Sequence, residues 1–238
     1  MIMNIRKTTL AAALGLATLT ISSVNAATIV SLGVDTTTGA DWRTAATAKS
    51  SAFDPDGDNI YGSDGYYIGY SAIGASNTAS ELTLVDTPAY ISGITSAGSF
   101  FASDAYENID NPAASGEING ALYYSSGTKL SFSVTQNTQF ILTVLVGEGA
   151  SDGVSSITIN QTAGTGSGTA TNSGFTLAAD SPEYVFFNIN AASGDAFDVD
   201  IVASSTQGIT GIAFEAIPEP SAALLGGIGM LALLRRRR

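Results

Sequence analysis

The chain contains no cysteine and no histidine. Without thiols it can form no disulfide, carry no lipid on an N-terminal cysteine and offer no thiolate nucleophile. Without imidazole it lacks the side chain best suited to proton transfer near neutral pH. Basic residues are nearly as scarce, with nine Lys and Arg against 21 Asp and Glu, and six of the nine (Arg6, Lys7 and Arg235 to Arg238) lie at the two ends. Residues 27–216 keep only Arg43, Lys49 and Lys129 against every acid but Glu219, a net charge of −17. Such a surface repels phosphate backbones and anionic lipid, which excludes nucleic-acid binding, while it attracts divalent cations and favours solubility. Of the common enzyme chemistries only a carboxylate-pair glycosidase would remain, and that needs two carboxyls about 5 to 9 Å apart in a cleft. The expectation is a protein that is not an enzyme.

The ends carry the clearest signals. Arg6 and Lys7 precede an apolar run from Leu10 to Ile21, and Val24-Asn25-Ala26 follows with small or tolerated residues at a cleavage site. This is the pattern of a secretory signal peptide over residues 1–26, cut by signal peptidase after Ala26 or, as a second choice, Ala27. At the other end, Pro218, Glu219, Pro220 and Ser221 lead into an uncharged run from Ala222 to Leu234 and then Arg235, Arg236, Arg237 and Arg238. Two prolines a residue apart end any strand or helix before them. The apolar run suits lipid, and the arginines fix it with the C-terminus inside. Its thirteen residues reach about 20 Å along a helix, short of a hydrocarbon core of roughly 30 Å, so the span relies on snorkelling arginines and local thinning of the bilayer.

This tail, residues 217–238, resembles the PEP-CTERM sorting signal of exported bacterial proteins. The resemblance implies recognition of Pro218, Glu219 and Pro220 by an exosortase in the membrane, with Ala222 to Leu234 as the transmembrane segment and the four arginines as the stop. It further implies delivery to the cell surface or to an extracellular polysaccharide matrix. It covers the tail alone; residues 27–216 are read from their own pattern.

In that segment, short strands recur with turn signals between them and without convincing helical periodicity, which predicts an antiparallel β-sandwich with jelly-roll-like topology. Thr28 to Val34 reads as a first strand. Leu130 to Val134 alternates strictly between apolar residues and serine, the mark of a sheet with one buried face. Phe140 to Val146 is apolar almost throughout and reads as a central strand covered on both faces. Ala196 to Val202 alternates again with Asp198 and Asp200 facing outward, whereas Ala163 to Gly174, rich in Gly, Thr and Ser, reads as a flexible loop or hairpin connection.

Two stretches are candidates for binding. Asp54, Asp56 and Asp58 lie at alternate positions of D-P-D-G-D-N-I-Y-G-S-D-G, so their carboxylates can converge on one hard cation such as calcium. Asn59 stands where a loop of this kind has glycine, and Gly65 where it has its glutamate, so Asp64 is the candidate replacement ligand. The alternative is a solvated cluster of Asx turns. Trp42, Tyr61, Tyr66 and Tyr67 could stack on sugar rings or serve as ordinary core and cross-strand aromatics. Together these residues support a calcium-stabilised carbohydrate-binding module as the alternative to a simple exported surface protein.

Overall fold

The computed structural model describes residues 27–35, 41–71, 82–97, 100–102, 109–112, 114–146, 153–173, 183–203 and 208–218. The expected signal peptide, residues 1–26, and the tail from Glu219 onward therefore lie outside the described residues. Among the described residues no helix is long and apolar enough to cross a membrane.

The first half forms β1 (Thr28–Asp35), β2 (Gly65–Ser71), β3 (Leu82–Asp86), β4 (Ile91–Ser96), β5 (Phe100–Ala102), β6 (Ile109–Asp110) and β7 (Glu117–Tyr124). The second half forms β8 (Gly127–Val134), β9 (Thr138–Val146), β10 (Val154–Ala163) and β11 (Thr169–Ser173). It closes with β12 (Glu183–Ala191), β13 (Ala196–Ala203), β14 (Gly208–Ile209) and β15 (Gly211–Ala216). The fold is an all-β sandwich of antiparallel sheets. A four-stranded sheet in the order β1-β12-β9-β15 and a five-stranded sheet in the order β11-β10-β13-β8-β4 enclose the main core. A third set, β14-β7-β2-β3 with β5 and β6 on β7, meets the residue between β14 and β15 through the Gly69 amide, which donates to the Thr210 carbonyl at 3.0 Å.

Alternation along the strands decides which side chains enter the main core. Leu130, Phe132 and Val134 of β8 point inward with Phe197, Val199 and Ile201 of β13, against Phe140, Leu142 and Val144 of β9 and Phe214 of β15. Phe132 sits at the centre, stacked on Phe197 at 5.4 Å and edge-on to Phe214 at 5.3 Å. The outer face of the five-stranded sheet carries the opposite set. There Asp198 accepts from the Ser131 hydroxyl at 2.6 Å, and Asp200 accepts from Thr128 at 2.6 Å and Asn160 at 2.5 Å. The outward placement expected for both aspartates is what the structure has. Of the two alternatives for residues 163–174 the structure has the hairpin, and it adds a strand: Thr169–Ser173 pairs with β10, because Thr and Ala supply enough β-branched and small side chains to complete a ladder.

The four-stranded sheet is covered on its second face as well. Ile141 and Leu145 of β9, Tyr184 and Phe186 of β12 and Ala213 of β15 pack beneath Trp42, Tyr61, Tyr66, Ile68 and Ile118 in a second core. This is why β9 is apolar at nearly every position: Phe140, Leu142, Val144 and Val146 serve one core, Ile141 and Leu145 the other. The cover over this second core includes the chain from Asp41 to Asp64, which holds the aspartate loop.

Candidate functional site

The aspartate loop is strung between two aromatic anchors. Phe53 stacks face to face on Phe186 at 4.1 Å with its plane 4° from parallel. Tyr61 is fully buried, donates its hydroxyl to Asp35 at 2.7 Å and takes the Trp42 carbonyl through its amide at 3.0 Å. Burial and the Asp35 carboxylate together push the Tyr61 phenol well above its ordinary range, so it stays a donor. Between the anchors the carboxylates close a chain of turns. Asp54 accepts from the amides of Gly57 at 2.9 Å and Asn59 at 3.0 Å, Asp56 from Asp58 at 3.0 Å, and Asp58 from Ile60 at 2.7 Å. Two left-handed residues permit the path, Gly57 at φ 77° and Asn59 at φ 65°. Asparagine tolerates that conformation far better than most side chains, so Asn59 performs the conformational task of the glycine it replaces.

The outcome is that Asp54, Asp56 and Asp58 offer carboxylate oxygens all within 4.8 Å of one another, with Asp54 buried and the other two exposed. Partial burial raises the Asp58 pKa, the charges of Asp56 and Asp54 add to the rise, and the Ile60 amide and Arg43 oppose it. A group of this kind can hold a hard cation, although exposed acids also cluster without one. Asp64 is not one of the three that converge. Its Oδ2 accepts from the Tyr90 hydroxyl at 2.8 Å and from the Ala216 amide at 2.7 Å, fastening the end of the loop to β15.

Beneath the loop lies a residue that the sequence alone does not single out. Glu215 of β15 is only 1% exposed. Its Oε2 accepts the Gly62 amide at 3.1 Å, and its Oε1 is buried with no hydrogen-bond partner. Burial raises its pKa from the ordinary 4.5 to about 8; the Gly62 and Asp56 amides oppose the shift, and the charges of Asp56 and Asp54 add to it. The available signal was a single acid inside I-T-G-I-A-F-E-A, where every neighbour is apolar or small.

The aromatic candidates are placed differently from a sugar platform. Trp42 is completely buried, stacked on Tyr184 at 6.1 Å, with the Arg43 guanidinium 5.3 Å from its ring centroid. Tyr61 is fully buried, Tyr66 is 6% exposed beneath the same Arg43, and Tyr67 packs partly buried against the main core. The Trp42 and Tyr61 rings are enclosed by protein, which is how a lone Trp beside an aromatic strand behaves when it closes a core. Arg43 and Lys49 also serve this cover through backbone carbonyls. Arg43 Nη1 donates to Gly62 at 2.6 Å, and Lys49 Nζ donates to Asp41, Thr44 and Thr47 at 2.5, 3.1 and 3.0 Å.

Comparisons with protein-family models, with curated proteins and with solved structures give no match.

Proposed function

We propose that this chain is a non-enzymatic exported protein, sorted by an exosortase-type system to the cell surface or an extracellular polysaccharide matrix. The observation that carries the reading is the order of parts in the tail: Pro218-Glu219-Pro220, the apolar run Ala222 to Leu234, then Arg235 to Arg238, opposite an N-terminal export signal. Exposure of Pro218 immediately after β15 supports it, because a membrane enzyme can reach a motif that begins outside the sandwich. In this reading residues 27–216 are a jelly-roll-like ectodomain, and the short transmembrane helix holds the precursor until it is processed. The test is to express the chain with Pro218, Glu219 and Pro220 replaced by alanine in bacteria with and without an exosortase. The wild type should lose its tail and leave the membrane fraction only where the exosortase is present, and the variant should stay in that fraction in both strains. Identical processing of the two chains would refute the reading.

A second reading is a calcium-stabilised carbohydrate-binding module. It is favoured by the convergence of Asp54, Asp56 and Asp58, while Trp42 and Tyr61, both fully buried, have no exposed ring to offer a sugar. Glycan-array binding that requires calcium and is lost on Asp58→Asn would establish it; binding to no glycan with calcium present would dismiss it.

A further inference from the structure

We propose that Glu215 completes a divalent-cation site with Asp54, Asp56 and Asp58, and that an ion bound there clamps the aspartate loop to β15, the strand that leads to Pro218. The inference rests on the cation reading of the loop and adds to it a fourth carboxylate and a mechanical consequence.

Two observations meet at this place. The first is the convergence of the three aspartates within 4.8 Å. Each already spends at least one oxygen on loop amides, whereas calcium seeks six to eight oxygens. The loop alone is short of ligands. The second is the orphan oxygen of Glu215. A buried carboxylate oxygen with no donor costs free energy unless something positive meets it, and Oε1 has no hydrogen-bond partner. The same carboxylate lies under the loop, bonded to the Gly62 amide and acted on by the Asp56 amide and by the charges of Asp54 and Asp56. A cation among the aspartates would turn that repulsion into shared attraction.

The arrangement also answers a gap in the sequence. A loop of the D-x-D-x-D type takes a glutamate from its own twelfth position, which here is Gly65. In three dimensions a glutamate reaches the loop from β15, 153 residues away from Gly62. Glu215 is not yet one of the three that converge, so an ion would draw strand and loop together. They are already joined nearby: the Asp64 amide donates to the Phe214 carbonyl at 3.1 Å, and Ser63 bridges to Phe214. Tightening this seam stiffens the chain between Phe214 and Pro218.

The test uses the full chain in detergent micelles, stripped with chelator and titrated calorimetrically with calcium chloride. Glu215→Gln keeps the shape of the side chain and an acceptor for the Gly62 amide but removes the charge. Wild type should bind one calcium ion, and E215Q should bind it at least tenfold more weakly while melting no lower than wild type in chelator. Calcium affinity in E215Q equal to that of wild type would overturn the inference and leave the aspartate loop as a site without Glu215. No uptake of calcium or magnesium by wild type would overturn the cation reading and the inference together. Should E215Q fail to fold, limited proteolysis of wild type reads the clamp directly. Calcium should slow cleavage between Phe214 and Pro218 severalfold, and unchanged cleavage at saturating calcium would refute the clamp.

Discussion

Trp42 is the only tryptophan in the chain, which turns the second core into something that can be watched. Its ring is fully buried against Tyr184 and under Arg43. Truncating a buried indole in a packed site costs about 3–5 kcal/mol, of which the aromatic pair and the cation–π contact supply about 0.5–1.5 and about 0.5–1 kcal/mol. Trp42→Ala should therefore remove a large part of a stability of about 5–15 kcal/mol. Trp42→Phe should lose much less, about 1–2 kcal/mol on the order of a partial truncation. Part of the reason is that the indole Nε1 is buried without an acceptor, so phenylalanine also removes an unmet donor. The assay is chemical denaturation followed by Trp emission in wild type and by circular dichroism in the variants. Native wild type should emit at short wavelength and resist acrylamide quenching, with both properties vanishing in one transition. Red-shifted, readily quenched native emission, together with unchanged midpoints in W42A, would refute the second core and return Trp42 to the surface.

Gly62 packs on β15 at φ 63°, and a Cβ there would stand 2.3 Å from that of Ala213; Gly62→Ala should cost about 2–4 kcal/mol from left-handed strain and overpacking, read as a lower denaturation midpoint. Asp195, 1% exposed, accepts from the Gln161 amide at 3.0 Å and the Ala192 amide at 2.8 Å. Asp195→Ala removes the acceptor of the Ala192 amide and leaves Gln161 Nε2 only the Ala163 carbonyl at 3.2 Å, with an expected loss of about 1–3 kcal/mol, and a loss under 0.5 kcal/mol would contradict the satisfied network. Because Glu215 is raised from 4.5 to about 8 in the fold, its neutral form is the one the fold favours. Its contribution in chelator is complete below the ordinary value and is lost as pH rises through about 8. The stability of wild type relative to E215Q should fall between pH 5 and pH 9, and a constant difference would show that Glu215 titrates normally.

Much of the sandwich could be read from its residues because strand patterning is local. The alternation of Leu130, Phe132 and Val134 with serine gave one buried face, and the nearly continuous apolar run of β9 gave two; both appear in the structure. The second core was harder to see. Trp42, Tyr61 and Tyr184 lie far apart in sequence, and nothing in the neighbourhood of Trp42 tells a ring buried against β12 from one offered to a ligand. β11 escaped for the opposite reason: its Thr and Ala side chains carry little apolar signal, and pairing with β10 alone makes it a strand. The aspartate loop was legible as a set of three because alternate spacing is local. Glu215 was not, because its approach to Gly62 depends on a contact across 153 positions, and the use of Asp64 to hold Ala216 on one across 152.

The hydroxyl and amide donors on the outer face of the five-stranded sheet have a consequence for where such a protein can work. Asp198 and Asp200 are met by Ser131, Thr128 and Asn160, and the scarce cations Arg43 and Lys49 are spent on carbonyls. With three cations against twenty acids in residues 27–216, the attraction that dissolved ions would screen is outweighed by the mutual repulsion of carboxylates that they would quiet. Raising sodium chloride from 0.05 M to 1 M should therefore lift its melting temperature, where a fold dependent on surface ion pairs would lose stability; a fall would mean that ion pairs matter more than these hydroxyls.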